Sequence, residues 1–371
     1  MKMTKLLVVA AVVGLFCSQA YAGLIDLRLD SGSWVANTVA TGNFNAVSHS
    51  PGISNSVAVA SISTSQAFRY DNTHTTPTVK TINGLAITDL VPNQDVSGAY
   101  EGRQTALVNG KTYFIENDFS ASASGDPADT TWSHLAPLGR NGLQTNWYVG
   151  IKAGSGDVSR YRWSGGWGTE GAVLPRAGGT PNDYAALTFE ANSGNYIVLA
   201  GDQGLDRVFY WSGAWRAQRV TTTTDYTVLA PVNNDRADAD IWYGTYASGS
   251  ISGLDRIYYD STGAFSGSGA GFFTQDINDN IYTELATDMT QPYTLFGLRD
   301  GAIDLIQSTD LGATWNTTTI LNGDFTDIDT NFGVSNSLYV TGVPVPEPST
   351  LLLSTLGLLS LSFVGWRRRR R

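Results

Sequence analysis

Three aromatic-rich turns, recurring at a fixed interval, constrain this chain more than any other feature. Trp163-Ser164-Gly165-Gly166-Trp167 follows SRYR, Trp211-Ser212-Gly213-Ala214-Trp215 follows RVFY, and Asp260-Ser261-Thr262-Gly263-Ala264-Phe265 follows RIYY. The first two begin 48 residues apart, and the second and third 49. Asp30-Ser31-Gly32-Ser33-Trp34, after DLRL, is a further copy. The fullest copy is Ser308-Thr309-Asp310-Leu311-Gly312-Ala313-Thr314-Trp315, reached through apolar alternation at Ile303 and Leu305. Such alternation predicts a strand running into a tight turn. In that turn Asp310 can accept amide protons, Gly312 can take a positive φ without a Cβ penalty, and Trp315 can cover the loop.

A period of this size, holding four short strands, is the signature of a propeller blade. The S-x-D-x-G-x-T-W pattern of Ser308, Asp310, Gly312, Thr314 and Trp315 also resembles the Asp-box of the sialidase-like (BNR) propellers. That resemblance implies a structural hairpin joining the two outer strands of a blade. The expected fold class is therefore all-β, a β-propeller.

Comparison of the two ends predicts how the propeller closes. GLIDLRLDSGSW with TGNFNAVSHSPGISNSVAV, at 23–59, parallels GAIDLIQSTDLGATW with NGDFTDIDTNFGVSNSLYV, at 301–340. The N-terminus thus holds a spare outer hairpin, and Phe325 to Asp329 with Ser337 to Val340 form two strands lacking one. Pairing them gives seven blades, one of them split two-plus-two, and removes exposed sheet edges. Six blades is the alternative, with the irregular stretch 85–138 as an insertion. In that stretch Tyr113-Phe114-Ile115 reads as a strand and Thr131-Trp132 as an echo of the hairpin's end.

The termini carry targeting signals. Lys2 and Lys5, the apolar run Leu6 to Phe16, and Ala20-Tyr21-Ala22 form a secretory signal peptide, residues 1–22. The one cysteine, Cys17, lies within it, and Phe16 before it rules out a lipoprotein pattern. A chain of this length can build its core without disulfides. The propeller body is expected over 23–342 and a sorting signal over 343–371. In that signal Pro346, Glu347, Pro348, Ser349 and Thr350 precede an apolar stretch, Leu351 to Val364, and then Arg367, Arg368, Arg369, Arg370 and Arg371. A breaker, a stretch at the short end of membrane-spanning length and a cytoplasmic positive block follow physically. The segment resembles a PEP-CTERM sorting signal, which implies a Gram-negative envelope and tail removal by an exosortase.

Charge excludes some partners. Without Lys2, Lys5 and Arg367 to Arg371, 16 of the 23 basic residues remain; without Glu347, 32 of the 33 acidic ones, leaving about −16. A body so acidic avoids nucleic acid and anionic lipid. The turns between second and third strands present a candidate ligand face: Asp157, Asp202, Asp206, Asp255 and Asp300. Carboxylates beside a central funnel suit acid–base work on a glycoside or calcium binding. Against this, Asp in Gly-rich turns commonly caps its own backbone. Leu205-Asp206-Arg207 and Leu254-Asp255-Arg256 recur in register with Arg160, which suits pairing between blades better than catalysis.

No metal site or catalytic residue stands out. Asp276-Ile277-Asn278-Asp279-Asn280 begins like an EF-hand loop but has Ile281 and Thr287 where Gly and Glu are needed. Calcium held by another loop, such as Asp235, Asp238 and Asp240, stays open. His49, His74 and His134 are scattered. Arg28, Arg69, Arg103 and Arg299 match no sialidase arrangement, and there is neither a phosphate loop nor a G-x-S-x-G elbow. The expected function is that of an exported, monomeric surface or matrix protein whose propeller binds a polysaccharide or envelope protein. Its processing partners are signal peptidase and exosortase, and the C-terminal helix anchors it to the membrane before processing. The alternative is a carbohydrate-active enzyme, a hydrolase or lyase; a spacer without a ligand is a third possibility.

Overall fold

The structure, a computed structural model, describes residues 22–49, 56–61, 66–71, 78–81, 87–92, 104–108, 111–115, 122–124, 132–138, 147–152, 157–163, 167–168, 184–189, 196–202, 204–212, 214–221, 224–232, 239–248, 251–260, 271–288, 290–330 and 335–345. The signal peptide, apart from Ala22, and the tail from Pro346 to Arg371 lie outside them. Among the described residues every regular element is a strand, and no helix is long and apolar enough to cross a membrane.

The chain opens with the hairpin β1 (Gly23–Asp30) and β2 (Ser33–Thr41). A four-stranded sheet follows, β3 (Phe44–His49), β4 (Ser56–Ser61), β5 (Gln66–Asp71) and β6 (Thr78–Thr81). The next comprises β7 (Ile87–Pro92), β8 (Gln104–Val108), β9 (Lys111–Ile115) and β10 (Ser122–Ser124). A third holds β11 (Trp132–Leu138), β12 (Trp147–Lys152), β13 (Val158–Trp163) and β14 (Trp167–Gly168). The fourth has β15 (Tyr184–Phe189), β16 (Tyr196–Gly201), β17 (Gly204–Trp211) and β18 (Ala214–Thr221). The fifth has β19 (Tyr226–Pro231), β20 (Ala239–Ser248), β21 (Ile251–Asp260) and β22 (Gly271–Asn278). Last come β23 (Glu284–Thr287), β24 (Thr294–Arg299), β25 (Ala302–Gln307), β26 (Asn316–Thr330) and β27 (Ser337–Pro344).

The final strands share one seven-stranded sheet with the N-terminal hairpin, in the order β2-β1-β27-β26-β25-β24-β23. β26 belongs to two halves of it: Asn316 to Asn322 pair with β25, and Gly323 to Thr330 with β27. At the change of partner, a Cβ on Gly323 would fall 2.4 Å from the Val343 carbonyl oxygen, so the crossing admits no side chain. β1 pairs with β27 from Gly23–Gly342 to Arg28–Ser337, the pairing that the two matching ends predicted.

Two sequence expectations need correction. Trp132 does not end an outer hairpin but opens β11, the inner strand of the next sheet, where its ring covers Gly150; a Cβ there would meet the indole at 2.6 Å. The folded body also passes the expected boundary at 342, because β27 runs to Pro344 and the Val345 amide still donates to Asn322 O at 2.8 Å.

Core residues fill the spaces between sheets rather than one central layer. Ile197, Leu199 and Val208 of the fourth sheet pack on Val149, Ile151 and Val158 of the third. Phe296, Leu298 and Ile303 pack on Ile25, Leu27, Leu338 and Val340. Face-to-face packing of this kind buries both faces of each strand, which explains near-continuous apolar runs such as Tyr196 to Leu199. The inner strands meet in a closed cycle: β26 touches β3, β3 touches β7, and so on through β11, β15, β19 and β23 back to β26.

Candidate functional site

Antiparallel pairing decides which residues share an end. Glu284, opening inner strand β23, pairs with Leu298 near the end of β24, beside the Asp300-Gly301 turn. Inner strands therefore begin at the end that carries the turns between second and third strands. This end is called the mouth below, and the turns between third and fourth strands lie opposite.

Three of the five candidate acids sit in mouth turns. Asp202 and Asp300 are exposed, and Asp157 is half-buried, its carbonyl accepting from Lys152 N at 2.8 Å. Asp206 and Asp255 do not belong to that face. The turn after Gly201 is tighter than the sequence suggested: pairing resumes at Gly204, placing Asp206 inside β17 with no exposed surface. Its carboxylate accepts from Tyr184 Oη at 2.6 Å and from the Arg219 guanidinium. Asp255, inside β21, accepts from Tyr226 Oη at 2.6 Å. Asp304 repeats the arrangement with Tyr282 at 3.2 Å and Arg299 Nε at 2.7 Å. These acids pin an inner-strand tyrosine to the third strand of its own sheet, so their role is packing.

The acids that do face the ring's interior went unrecognised in the sequence. Six inner strands carry a β-bulge near the start of their pairing, at Phe44/Ala46, Ile87/Asp89, Trp132/His134, Tyr184/Ala186, Tyr226/Val228 and Phe325/Asp327. The extra residue is usually Thr, Ser or Asn, and its side chain can satisfy a backbone carbonyl: Thr88 to Leu107 O at 3.1 Å, Ser133 to Ile151 O at 3.2 Å, Thr326 to Thr341 O at 3.3 Å. The bulge re-aims the residue that follows. That position holds Asp89, Asp327 and His134; Glu284 opens β23 without a bulge, directly after Thr283, whose hydroxyl donates to Leu298 O at 3.2 Å.

The electrostatics place these groups before a common space. Burial, and next the charge of Asp89, push Glu284 up to about 7. Asp89 itself is pushed up to about 6 by burial, against a backbone hydrogen bond from Leu90. Asp327 is raised well above the carboxylate range by burial and then by Glu284. Asp329, two residues on, is pushed up to about 7 by burial. The side chains keep some accessible surface, as groups lining an opening do, while protein crowds them on all sides; crowding governs their ionisation. Asp327 and Asp329 also tie β26 to β3, accepting from Val47 N at 2.8 Å and His49 N at 2.5 Å. Burial lowers His134.

Chemically, this is a set of carboxylates on β7, β23 and β26 able to hold or release protons near neutral pH. Among the described residues, no group of three or more His, Cys, Asp or Glu side chains is placed to hold a metal ion. Asp235 and Asp238 lie outside the described residues.

The opposite end has a different design. Ser308 Oγ donates to Asp310 Oδ1 at 2.7 Å, Thr314 N to the same oxygen at 2.8 Å, and Thr314 Oγ1 to Oδ2 at 2.6 Å. Gly312 N donates to Ser308 Oγ at 2.8 Å. Leu311 and Gly312 take φ of +61° and +87°. A Cβ on Gly312 would lie 2.3 Å from Arg256 Nη1, so this glycine is required by close approach as well as by conformation. Trp315 stands edge-on to Tyr243 at 5.6 Å, across the boundary with the neighbouring sheet. Arg256 lies over Tyr258 and Tyr293, and Arg207 over Tyr259, so both bridge adjacent sheets.

Cyclic inner strands, meandering sheets and a central mouth define a β-propeller, and solved structures agree. The chain is similar to the β-propeller domain of Cps50 (Swd1) from Myceliophteria thermophila, 9% identical with a TM-score of 0.54 over 83% of this chain and 98% of that one. YCF48 from Cyanidioschyzon merolae is 11% identical, with a TM-score of 0.51 over 81% and 95%. The GH74 xyloglucanase from Xanthomonas campestris is 14% identical, with a TM-score of 0.54 over 81% of this chain and 51% of that one. At such identities the likeness shows fold alone. Residues 344–370 match the PEP-CTERM protein-sorting motif, which implies export and exosortase-dependent sorting. No curated protein matches the chain.

Proposed function

We propose that the protein is an exported cell-surface or matrix component whose propeller serves as a binding module at its acidic mouth. The observation that carries this reading is the sorting motif joined directly to the last strand of a ring with an inward-facing carboxylate set. In this reading the signal peptide occupies 1–22 and the folded body 23–345. Pro346 to Arg371 then form the motif, membrane segment and Arg block that exosortase removes, while signal peptidase removes 1–22. The seven-stranded sheet resolves into two blades sharing β26, giving seven in all, the last built from C-terminal inner and N-terminal outer strands. Residues 308–315 act as an Asp-box, holding a turn rather than a ligand.

The ligand class is a polysaccharide or envelope protein presenting hydroxyl, amide or cationic groups to carboxyls. A second reading, a carbohydrate-active enzyme, is favoured by one observation: Glu284 and Asp89 lie near neutrality, where general acid–base catalysis works best. A screen of residues 23–345 against matrix polysaccharides and envelope proteins, with and without calcium, tests both. Saturable binding lost in the Asp89→Asn, Glu284→Gln variant supports the module; release of new reducing ends by the wild type establishes the enzyme. Binding unchanged in that variant would move the ligand away from the mouth.

A further inference from the structure

Both ends of the folded body leave at one corner of the mouth. Gly23, first in β1, pairs with Gly342, and Pro344, last in β27, pairs with Gly323. Val345 N donates to Asn322 O at 2.8 Å, and Gly323 N to Gly301 O at 3.1 Å. Gly301 belongs to the turn bearing Asp300, so the chain departs toward its sorting tail beside a mouth turn. Asp310 and its hairpin lie at the far end.

The tail leaves little slack. Five residues, Pro346 to Thr350, separate Val345 from the apolar run beginning at Leu351. Fully extended they reach at most about 17 Å. Each headgroup layer takes up about 5–8 Å of that distance. The corner of the mouth beside Gly301 is then held within about 10 Å of the lipid surface, a reach too short for the body to turn its mouth fully away from the membrane. The signal peptide precedes Gly23 at the same corner, so both tethers fit one membrane without straining the body.

We infer that the tethered precursor presents its acidic mouth to the membrane, shut off from macromolecular ligands, and that removal of the tail opens it. The inference rests on reading Leu351 to Val364 as a membrane span. Carboxylates on the face and anionic lipid headgroups repel, so the gap stays hydrated and passes small solutes while excluding polymers. Ligand binding is thereby confined to the processed protein, after it has left the membrane that made it.

Thiol labelling tests this cleanly because the chain's one cysteine, Cys17, lies in the signal peptide. Asp300→Cys and Asp202→Cys place a thiol in two mouth turns, and Leu311→Cys places one at the far hairpin, where Leu311 is 62% exposed. The full-length chain is bound to vesicles, purified by flotation and treated with a small maleimide or with one carrying a long polyethylene glycol. The small reagent should label all three alike, which shows that the thiols themselves are equally reactive. The large reagent should label the mouth thiols roughly tenfold more slowly than Leu311→Cys, given the short reach. In a chain ending at 345 the three rates should be equal. Equal rates with the large reagent on floated, full-length chain overturn the inference while leaving the tether intact. A full-length chain that does not float overturns the tether itself, and the inference with it.

Discussion

Asp310 and Asp329 are carboxylates held by hydrogen bonds at opposite ends of one propeller, and they titrate in opposite directions. Asp310 stands in open solvent, yet hydrogen bonds from Thr314, and then from Ser308, pull it down to about 2. Asp329 also accepts two backbone amides, from His49 and Thr330, yet burial pushes it up to about 7. The number of hydrogen bonds does not decide the outcome; what surrounds them does. Water around Asp310 keeps its charge inexpensive, so each donor acts in full, whereas the crowded mouth makes charge itself unfavourable. The hairpin acid is built to stay ionised, and the mouth acids are poised to exchange protons.

Asp206 gives the largest test of that contrast, because it is fully buried within β17 but has a cation. Removing it in Asp206→Ala leaves Arg219 and Tyr184 without their shared acceptor, and breaking a buried pair of this kind costs about 3 kcal/mol or more. Urea unfolding near neutral pH should register that loss. A loss below about 1 kcal/mol would mean that pairing with Arg219 does not hold this buried acid in place.

A smaller effect should appear in the pH dependence. Asp329 has a folded-state pKa above its unfolded value of about 4, so its protonated form is favoured by folding. Its contribution is complete below about pH 4 and is lost as pH rises through about 7. The fold should therefore weaken over that window by roughly 2–4 kcal/mol, and Asp329→Asn should flatten the decline. Melting temperatures measured from pH 4 to 8 decide the matter; parallel curves for wild type and variant would place the shift elsewhere.

Legibility follows the same division. The hairpin could be read because Ser308, Asp310, Gly312, Thr314 and Trp315 act within eight consecutive residues, and turn chemistry is local. The strand leading into that hairpin was legible from the alternation at Ile303 and Leu305, and the pairing of the two ends from their repeat. The mouth was not, since Asp89, Glu284 and Asp327 lie on separate inner strands and meet only when the ring closes. A faint signal did exist in Thr88-Asp89, Thr283-Glu284 and Thr326-Asp327, each following Ile87, Tyr282 or Phe325: an apolar opener, a hydroxyl, then an acid. Asp206 and Asp255 were misplaced for a different reason: Gly-rich sequence around them suggested long turns, whereas Gly201 and Gly204 already pair, leaving the acids within strands.

The smallest effect belongs to the hairpin, and its value is the sign. Asp310 has a folded-state pKa below its unfolded one, so its stabilisation is present above about pH 4 and is lost as pH falls through about 2. Asp310→Asn keeps an acceptor for Thr314 N but removes the charge that Thr314 Oγ1 and Ser308 Oγ address. The variant should melt slightly lower than wild type at pH 7, and the gap should close as pH falls from 4 to 2, the reverse of the trend at the mouth. Binding at the mouth should be unaffected. A gap that persists at pH 2 would show that shape, not charge, holds the turn, and the contrast between the two ends would then reduce to burial alone.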